Sequence, residues 1–219
     1  MWIGNDIVDL RDAETQPGAA HPRFAARVCR PEELAAIERA ASPTRALWMH
    51  WAAKESAFKA LRKQVAELRF LPRRFAVDLG AARRGAAVAS VRIGAWRAAV
   101  RIRVGSDYLH AVARVDMDGA TVGAQRRAPV ASAVRRTGAL PAPRCSAAAR
   151  ALLARALAGR LRRDVAAVEI RRAASRGAPP RVYVDGARAP IDVSLSHHGR
   201  FVAVAYAVPP RRPRAARAR

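Results

Sequence analysis

Lysine is almost missing from this chain: among 41 basic residues only Lys54, Lys59 and Lys63 are not arginine. Acids are scarce as well, 17 in 219 residues, leaving a formal net charge of +24. Cysteine occurs twice, at Cys29 and Cys145, without metal-ligand spacing, so a disulfide framework is excluded and the reducing cytoplasm is the expected compartment. No apolar run approaches the roughly 18 residues of a membrane span. The opening residues MWIGND lack a basic region followed by an apolar stretch, so they do not read as a secretory signal. No Walker loop, G-x-G-x-x-G, H-E-x-x-H or G-x-S-x-G is present, which removes the common nucleotide-binding, zinc-protease and serine-hydrolase signatures.

What is present suits a folded α+β chain. Apolar residues make up 51% and charged residues 26%, enough for a core, and the length allows one compact domain or two small ones. The positive surplus should attract polyanions, acidic proteins or phosphorylated substrates. Arginine is nevertheless mixed with alanine throughout, a general bias that selects no specific nucleic acid, and the low aromatic content (5%) argues against a stacking platform. The three lysines stand apart. Lysine is a compact point charge and arginine a planar fork, and all three fall within one helical segment.

The chain reads as two similar lobes, each a helix packed on a small antiparallel sheet, forming a pseudo-dimer. In the first lobe (1–118), residues 2–10 read as an apolar strand, 31–40 as a helix opened by Pro and two acids, and roughly 44–66 as a long helix. Strands follow at 75–79, 87–93, 96–104 and 108–115, with Gly-containing turns. Residues 119–143 lack periodicity and read as a linker. The second lobe (144–208) has a helix at 146–163, then strands near 165–172, 181–184, 190–195 and 200–207. The Pro- and Arg-rich tail, 209–219, reads as disordered.

Three segments carry candidate chemistry. Asp6 lies in an apolar strand, where alternation places it on one face with Val8; it suits either a hard metal ion or a turn cap. Leu47, Trp51, Phe58 and Leu61 form an apolar helical stripe, and Lys54 falls inside it, where an ammonium must snorkel or meet an anion. Glu55 and Lys59, at i and i+4, form a helix ion pair or frame a metal-bound phosphate. Ser194-Leu195-Ser196-His197-His198-Gly199-Arg200 places hydroxyls and imidazoles at a strand–turn junction suited to phosphate oxygens, without the spacing of a zinc site.

Taken together, GNDIVDL at 4–10, WAAKESAFKAL at 51–61 and SLSHHGRFVAVAYA at 194–207 resemble the 4′-phosphopantetheinyl transferase superfamily: its G-x-D-I-[VE] strand, its W-x-x-K-E-[AS]-x-x-K helix and its S-x-S-H strand. HPRFAARVCRPEEL at 21–34 resembles a further family segment, and GAPPRV at 177–182 stands where a G-K-P turn is usual.

The resemblance implies Mg²⁺-dependent transfer of phosphopantetheine from coenzyme A to a serine of an apo acyl or peptidyl carrier protein, releasing adenosine 3′,5′-bisphosphate. It implies Asp6 and Glu55 as metal ligands, Glu55 as the base, and Asp6, Glu55 and Lys59 as the catalytic set. Lys54, Lys59, Ser196 and His197 would contact coenzyme A. Arg181 would replace the turn lysine, which is Ala178 here, and Arg23 and Arg27 would dock an acidic carrier. Two departures stand out. Val8 occupies the position of a second strand carboxylate, and S-x-S-H comes last, the order expected if the two lobes are circularly permuted. The competing readings are a basic nucleic-acid-binding module and a degenerate transferase fold that binds carrier or coenzyme A without turnover.

Overall fold

A computed structural model describes residues 1–18, 23–115, 129–172 and 178–209. The first lobe is a five-stranded antiparallel sheet, ordered β1-β5-β4-β3-β2. Its strands are β1 (Trp2–Asp9), β2 (Ala76–Leu79), β3 (Ala86–Ile93), β4 (Trp96–Val104) and β5 (Tyr108–Val115). Helices α1 (Phe24–Val28), α2 (Pro31–Glu38) and α3 (Pro43–Leu61) lie between β1 and β2. Pro43 occupies the first turn of α3, where its missing N–H costs nothing.

The helix α3 uses small side chains against the sheet. Ala52, Ala53, Ala57 and Ala60 are all fully buried in one core with Val91, Val100, Ile102 and Ala113. Trp51 and Phe58 are turned away from that contact, into an aromatic cluster with Phe24, Phe70 and Phe75. Close approach is carried furthest at Gly4 of β1: a Cβ there would run into Ser56 O and come within 2.6 Å of Ala60 N. Only glycine lets the strand lie on the helix backbone.

The second lobe contains β6 (Val130–Arg136), α4 (Ala142–Leu161), β7 (Val168–Arg172), β8 (Pro180–Val184), β9 (Ala187–Arg188), β10 (Asp192–His198) and β11 (Phe201–Ala207). They form two three-stranded sheets, β10-β11-β6 and β7-β8-β9. The lobes repeat one plan. In each, the first strand pairs antiparallel with the last (β1 with β5, β6 with β11), and the strand before the last flanks that pair (β4, β10). A long helix follows the first strand and packs on the sheet, Leu153 and Leu157 of α4 meeting Val193 and Val204. The fold is α+β with two similar lobes.

One boundary of the sequence reading is corrected. Residues 119–143 do not act throughout as a linker, because 130–136 form β6, paired along its whole length with β11. The second lobe therefore begins before the helix rather than at it. The run VASAVRR hid this strand: its large apolar residues are Val130 and Val134 alone, and alanine, serine and arginine fill the rest. Residues 116–128 and the tail 210–219 lie outside the described residues. Cys29 and Cys145 are free and buried. Among the described residues no helix is long and apolar enough to cross a membrane.

Strand β1 lies between the lobes, and its alternation divides it into two working faces. Gly4, Asp6 and Val8 face α3. Ile3 and Ile7 pack on Ala205, Ala203 and Phe201 of the second lobe, and Asn5 and Asp9 hydrogen-bond to it. The free edge of β1 is covered by alternate side chains of β10 instead of a paired backbone. Asp192 Oδ2 accepts from Ile3 N–H at 2.6 Å, Ser194 Oγ from Asn5 N–H at 2.9 Å, and His198 Nδ1 from Asp9 N–H at 3.0 Å. Three N–H groups of an exposed sheet edge are thereby satisfied, and the edge is covered against foreign strands.

Candidate active site

Lys59 lies on α3 where β1 passes over the helix. Its Nζ donates to Asp6 Oδ1 at 2.7 Å and is 3.7 Å from Glu55 Oε2, one helical turn back. Burial opposes the charge on Lys59, but Asp6 and Glu55 outweigh it and hold the ammonium above its ordinary range. Burial, helped by the Asp6 charge, raises the Glu55 carboxyl above the usual carboxylate range against the pull of Lys59. Two carboxylates thus converge on one cation. Val8 has its side chain in the core beside Trp48 and Met49, so β1 supplies no second carboxylate to this cluster.

Lys59 also lines a cleft of about 220 Å³ whose other wall comes from the second lobe: Ser146 and Arg150 of α4, Arg172 of β7, and Ser196 and His197 of β10. Burial first, and then the nearby charges of Lys59 and Arg172, push the His197 imidazole below its ordinary value, so it is neutral near pH 7. A wider groove of about 760 Å³ shares Lys59, Arg172, Pro180 and Leu195 and runs past Phe58, Arg62 and Ala178. The cleft is a cationic pocket with two hydroxyls and an imidazole, bordered on one side by paired carboxylates. This is the chemistry of a phosphate-binding site.

The structure brings Asp6, Glu55, Lys59, Ser196 and His197 together from segments nearly 200 residues apart. It does not bring Lys54 or Arg181. The Lys54 ammonium is fully buried, 2.6 Å from Glu33 Oε2, and it also donates to the carbonyls of Val28 and Pro72 at 2.8 and 3.2 Å. All three of its hydrogens are used inside the protein, so Lys54 is a buried tie and not a phosphate ligand. Glu33 in turn accepts from Arg30 and Val77 N–H, which joins α2, α3 and β2. Arg181 is exposed on β8, opposite Arg171, and lines neither cavity; strand alternation directs Pro180 and Val182 inward instead.

Arg150 and Arg172 escape the sequence reading because arginine is everywhere in it; only lobe packing distinguishes these two from the solvated majority. Asp12, Glu14 and His198 form a separate group whose ligand atoms lie within 4.8 Å of one another. It sits at a surface turn, where Asp12 Oδ1 accepts from Glu14 N–H.

A family model described as the 4′-phosphopantetheinyl transferase superfamily matches residues 3–113, half of the chain. The match spans the first lobe, with Asp6, Glu55 and Lys59. No curated protein matches the chain at a significant level.

Proposed function

This chain belongs to the 4′-phosphopantetheinyl transferase superfamily, and on that premise we propose that it moves phosphopantetheine from coenzyme A to a serine of an apo acyl or peptidyl carrier protein. The observation that carries this reading is the shared cleft. The Asp6–Lys59–Glu55 cluster of the first lobe faces Ser196, His197, Arg150 and Arg172 of the second. A single chain therefore supplies both walls, and the lobes stand in the order of a circular permutation.

In this reading Arg150, Arg172 and the neutral His197 grip the phosphates of coenzyme A, and Lys59 neutralises charge on the phosphate that is transferred. The carrier serine oxygen forms a bond to the phosphorus that bears pantetheine. The bond from that phosphorus to the bridging oxygen breaks, and adenosine 3′,5′-bisphosphate departs with the electron pair. The serine proton passes to Glu55, the carboxylate one helical turn from Lys59. Asp6 and Glu55 offer only hard carboxylate oxygens beside one cation, a donor set that fits Mg²⁺, which commonly takes one or two carboxylates and completes its shell with substrate phosphates. When bound there, Mg²⁺ would supply Lewis-acid stabilisation of phosphate charge. Arg23 and Arg27 are exposed at α1 and suit an acidic carrier surface.

The test is intact-mass spectrometry of an apo carrier protein incubated with this chain, coenzyme A and Mg²⁺. A gain of one phosphopantetheine, lost in Glu55→Gln and in EDTA, is the expected result. No gain across several carrier classes overturns the reading.

A further inference from the structure

The Ser196 hydroxyl has one hydrogen-bond partner among the described residues, and it is a donor. The side-chain amide of Asn5 gives a hydrogen to Ser196 Oγ at 2.9 Å. A hydroxyl that accepts in this way keeps its own hydrogen for another acceptor, and no protein acceptor among the described residues takes it. Ser196 lines the cleft beside Lys59, Arg150 and Arg172, and a group that enters such a cleft is an anion. We propose that Asn5 is a positioning residue which turns Ser196 into a hydrogen-bond donor toward a phosphate oxygen of the bound substrate. The inference rests on the phosphopantetheinyl-transfer reading, which supplies that phosphate.

Two further features of Asn5 agree. The residue is wholly buried, and its Nδ2 lies 3.2 Å from His110 Nε2. Burial and, next, the Arg103 charge lower the His110 pKa to about 4, so the ring is neutral and one nitrogen is free to accept. Both contacts of the amide group suit NH₂ when the His110 proton is on Nδ1. Asn5 Oδ1, in contrast, is buried without a partner among the described residues. Leaving a carbonyl unsatisfied is costly, and packing alone gives no reason to do so. In the reverse orientation the carbonyl would take the Ser196 hydrogen and leave only lone pairs facing the cleft, which repel phosphate. The backbone does the same for the other serine: Asn5 N–H donates to Ser194 Oγ at 2.9 Å. That second contact needs only a backbone N–H, whereas the first needs a side-chain donor at this position.

A double-mutant cycle read by coenzyme A binding in calorimetry tests this. Ser196→Ala and Asn5→Ala should each weaken binding roughly tenfold, as for one hydrogen bond to a charged group. The double variant should bind no worse than Ser196→Ala alone. Asn5→Asp, which can only accept, should lose at least as much as Asn5→Ala. Losses that multiply in the double variant, or wild-type affinity in Ser196→Ala, overturn the proposal. Should Asn5→Ala fail to fold, NMR of the wild type decides: the Asn5 side-chain NH₂ signals should shift when coenzyme A is added and should not shift in Ser196→Ala. Absence of that shift in the wild type overturns it. A wild type that modifies carrier yet shows multiplying losses removes this inference and leaves the proposed function standing. A wild type that neither modifies carrier nor binds coenzyme A removes both.

Discussion

Arg200 closes on Asp9 with a two-point grip across the lobe boundary: Nη2 donates to Oδ1 at 2.6 Å and Nε to Oδ2 at 2.8 Å. The backbone N–H of Arg200 adds a third bond to Oδ2 at 2.9 Å. The turn is held by Gly199, with φ +50°, where a Cβ would come within 2.6 Å of Asp9 Oδ2. Asp9 terminates β1, so this pair pins the strand that carries Asp6 to the lobe that carries His197.

The pair gives the fold a defined acid response. Burial alone would raise the Asp9 carboxyl, but the bonds from Arg200 and Arg11 pull it down to about 2 from 3.8. The unfolded chain therefore takes up this proton first as pH falls. Stability is fully present above pH 4 and is lost between about 4 and 2, by about 2 kcal/mol. His110 adds an earlier limb. Its pKa is about 4 when folded and 6.5 ordinarily, so stability declines between those values as the unfolded chain alone binds the proton. Urea midpoints measured from pH 7 to 2 should show both limbs, with Asp9→Asn lacking the lower one. An unchanged lower limb in Asp9→Asn would contradict this account.

Lys63 should not tolerate arginine. Its ammonium donates to Ile3 O at 2.6 Å, Asp192 Oδ1 at 2.7 Å and Val193 O at 2.7 Å, using all three hydrogens to tie the end of α3 to β1 and β10. A planar guanidinium cannot place three hydrogens around one point. Lys63→Arg should lower stability by about 2 kcal/mol and Lys63→Met by about 3, the latter leaving Asp192 half-paired. Urea unfolding should show a lower midpoint with an unchanged m-value.

Gly4→Ala tests the seating of β1 on α3. The added methyl meets Ser56 O and Ala60 N, so strand or helix must yield, at about 3 kcal/mol. Because Asp6 reaches Lys59 only from this seat, transfer activity should fall further than stability requires. Carrier modification assayed well below the melting temperature separates the two effects.

Arg150 and Arg172 should matter where Arg181 does not. Each cleft arginine replaced by alanine should weaken coenzyme A binding roughly tenfold, and the double variant should show a shallower dependence of affinity on salt. Arg181→Ala, exposed and outside both cavities, should bind as the wild type does. Calorimetry at two salt concentrations distinguishes these outcomes.

All three lysines have their ammonium among oxygen atoms, and this explains their separation from the arginine background. Lys54 and Lys63 each satisfy three acceptors, and Lys59 is held by two carboxylates. The anomaly was visible in the residue counts, and so was the place of Lys54 within an apolar stripe. Its partner was not, because Glu33 lies 21 residues earlier on a separate helix.

Local pattern alone determined the long helices and nearly all the strands, because periodicity and turn chemistry are properties of neighbouring residues, and two of the three motifs that resemble the family lie within the matched residues 3–113. It also placed Asp6 and Val8 on one face of β1. Only the tertiary structure decided which residues line the cleft. It withdrew Lys54 into a buried ion pair, left Arg181 in solvent, promoted Arg150 and Arg172, and turned His198 of β10 to Asp9 of β1 while His197 lines the cleft. It also turned a stretch of supposed linker into β6, whose role exists only in its pairing with β11. The physical reason is the same in each case: one arginine or alanine resembles another along the chain, and its energy depends on which oxygen, ring or strand is packed against it from far away.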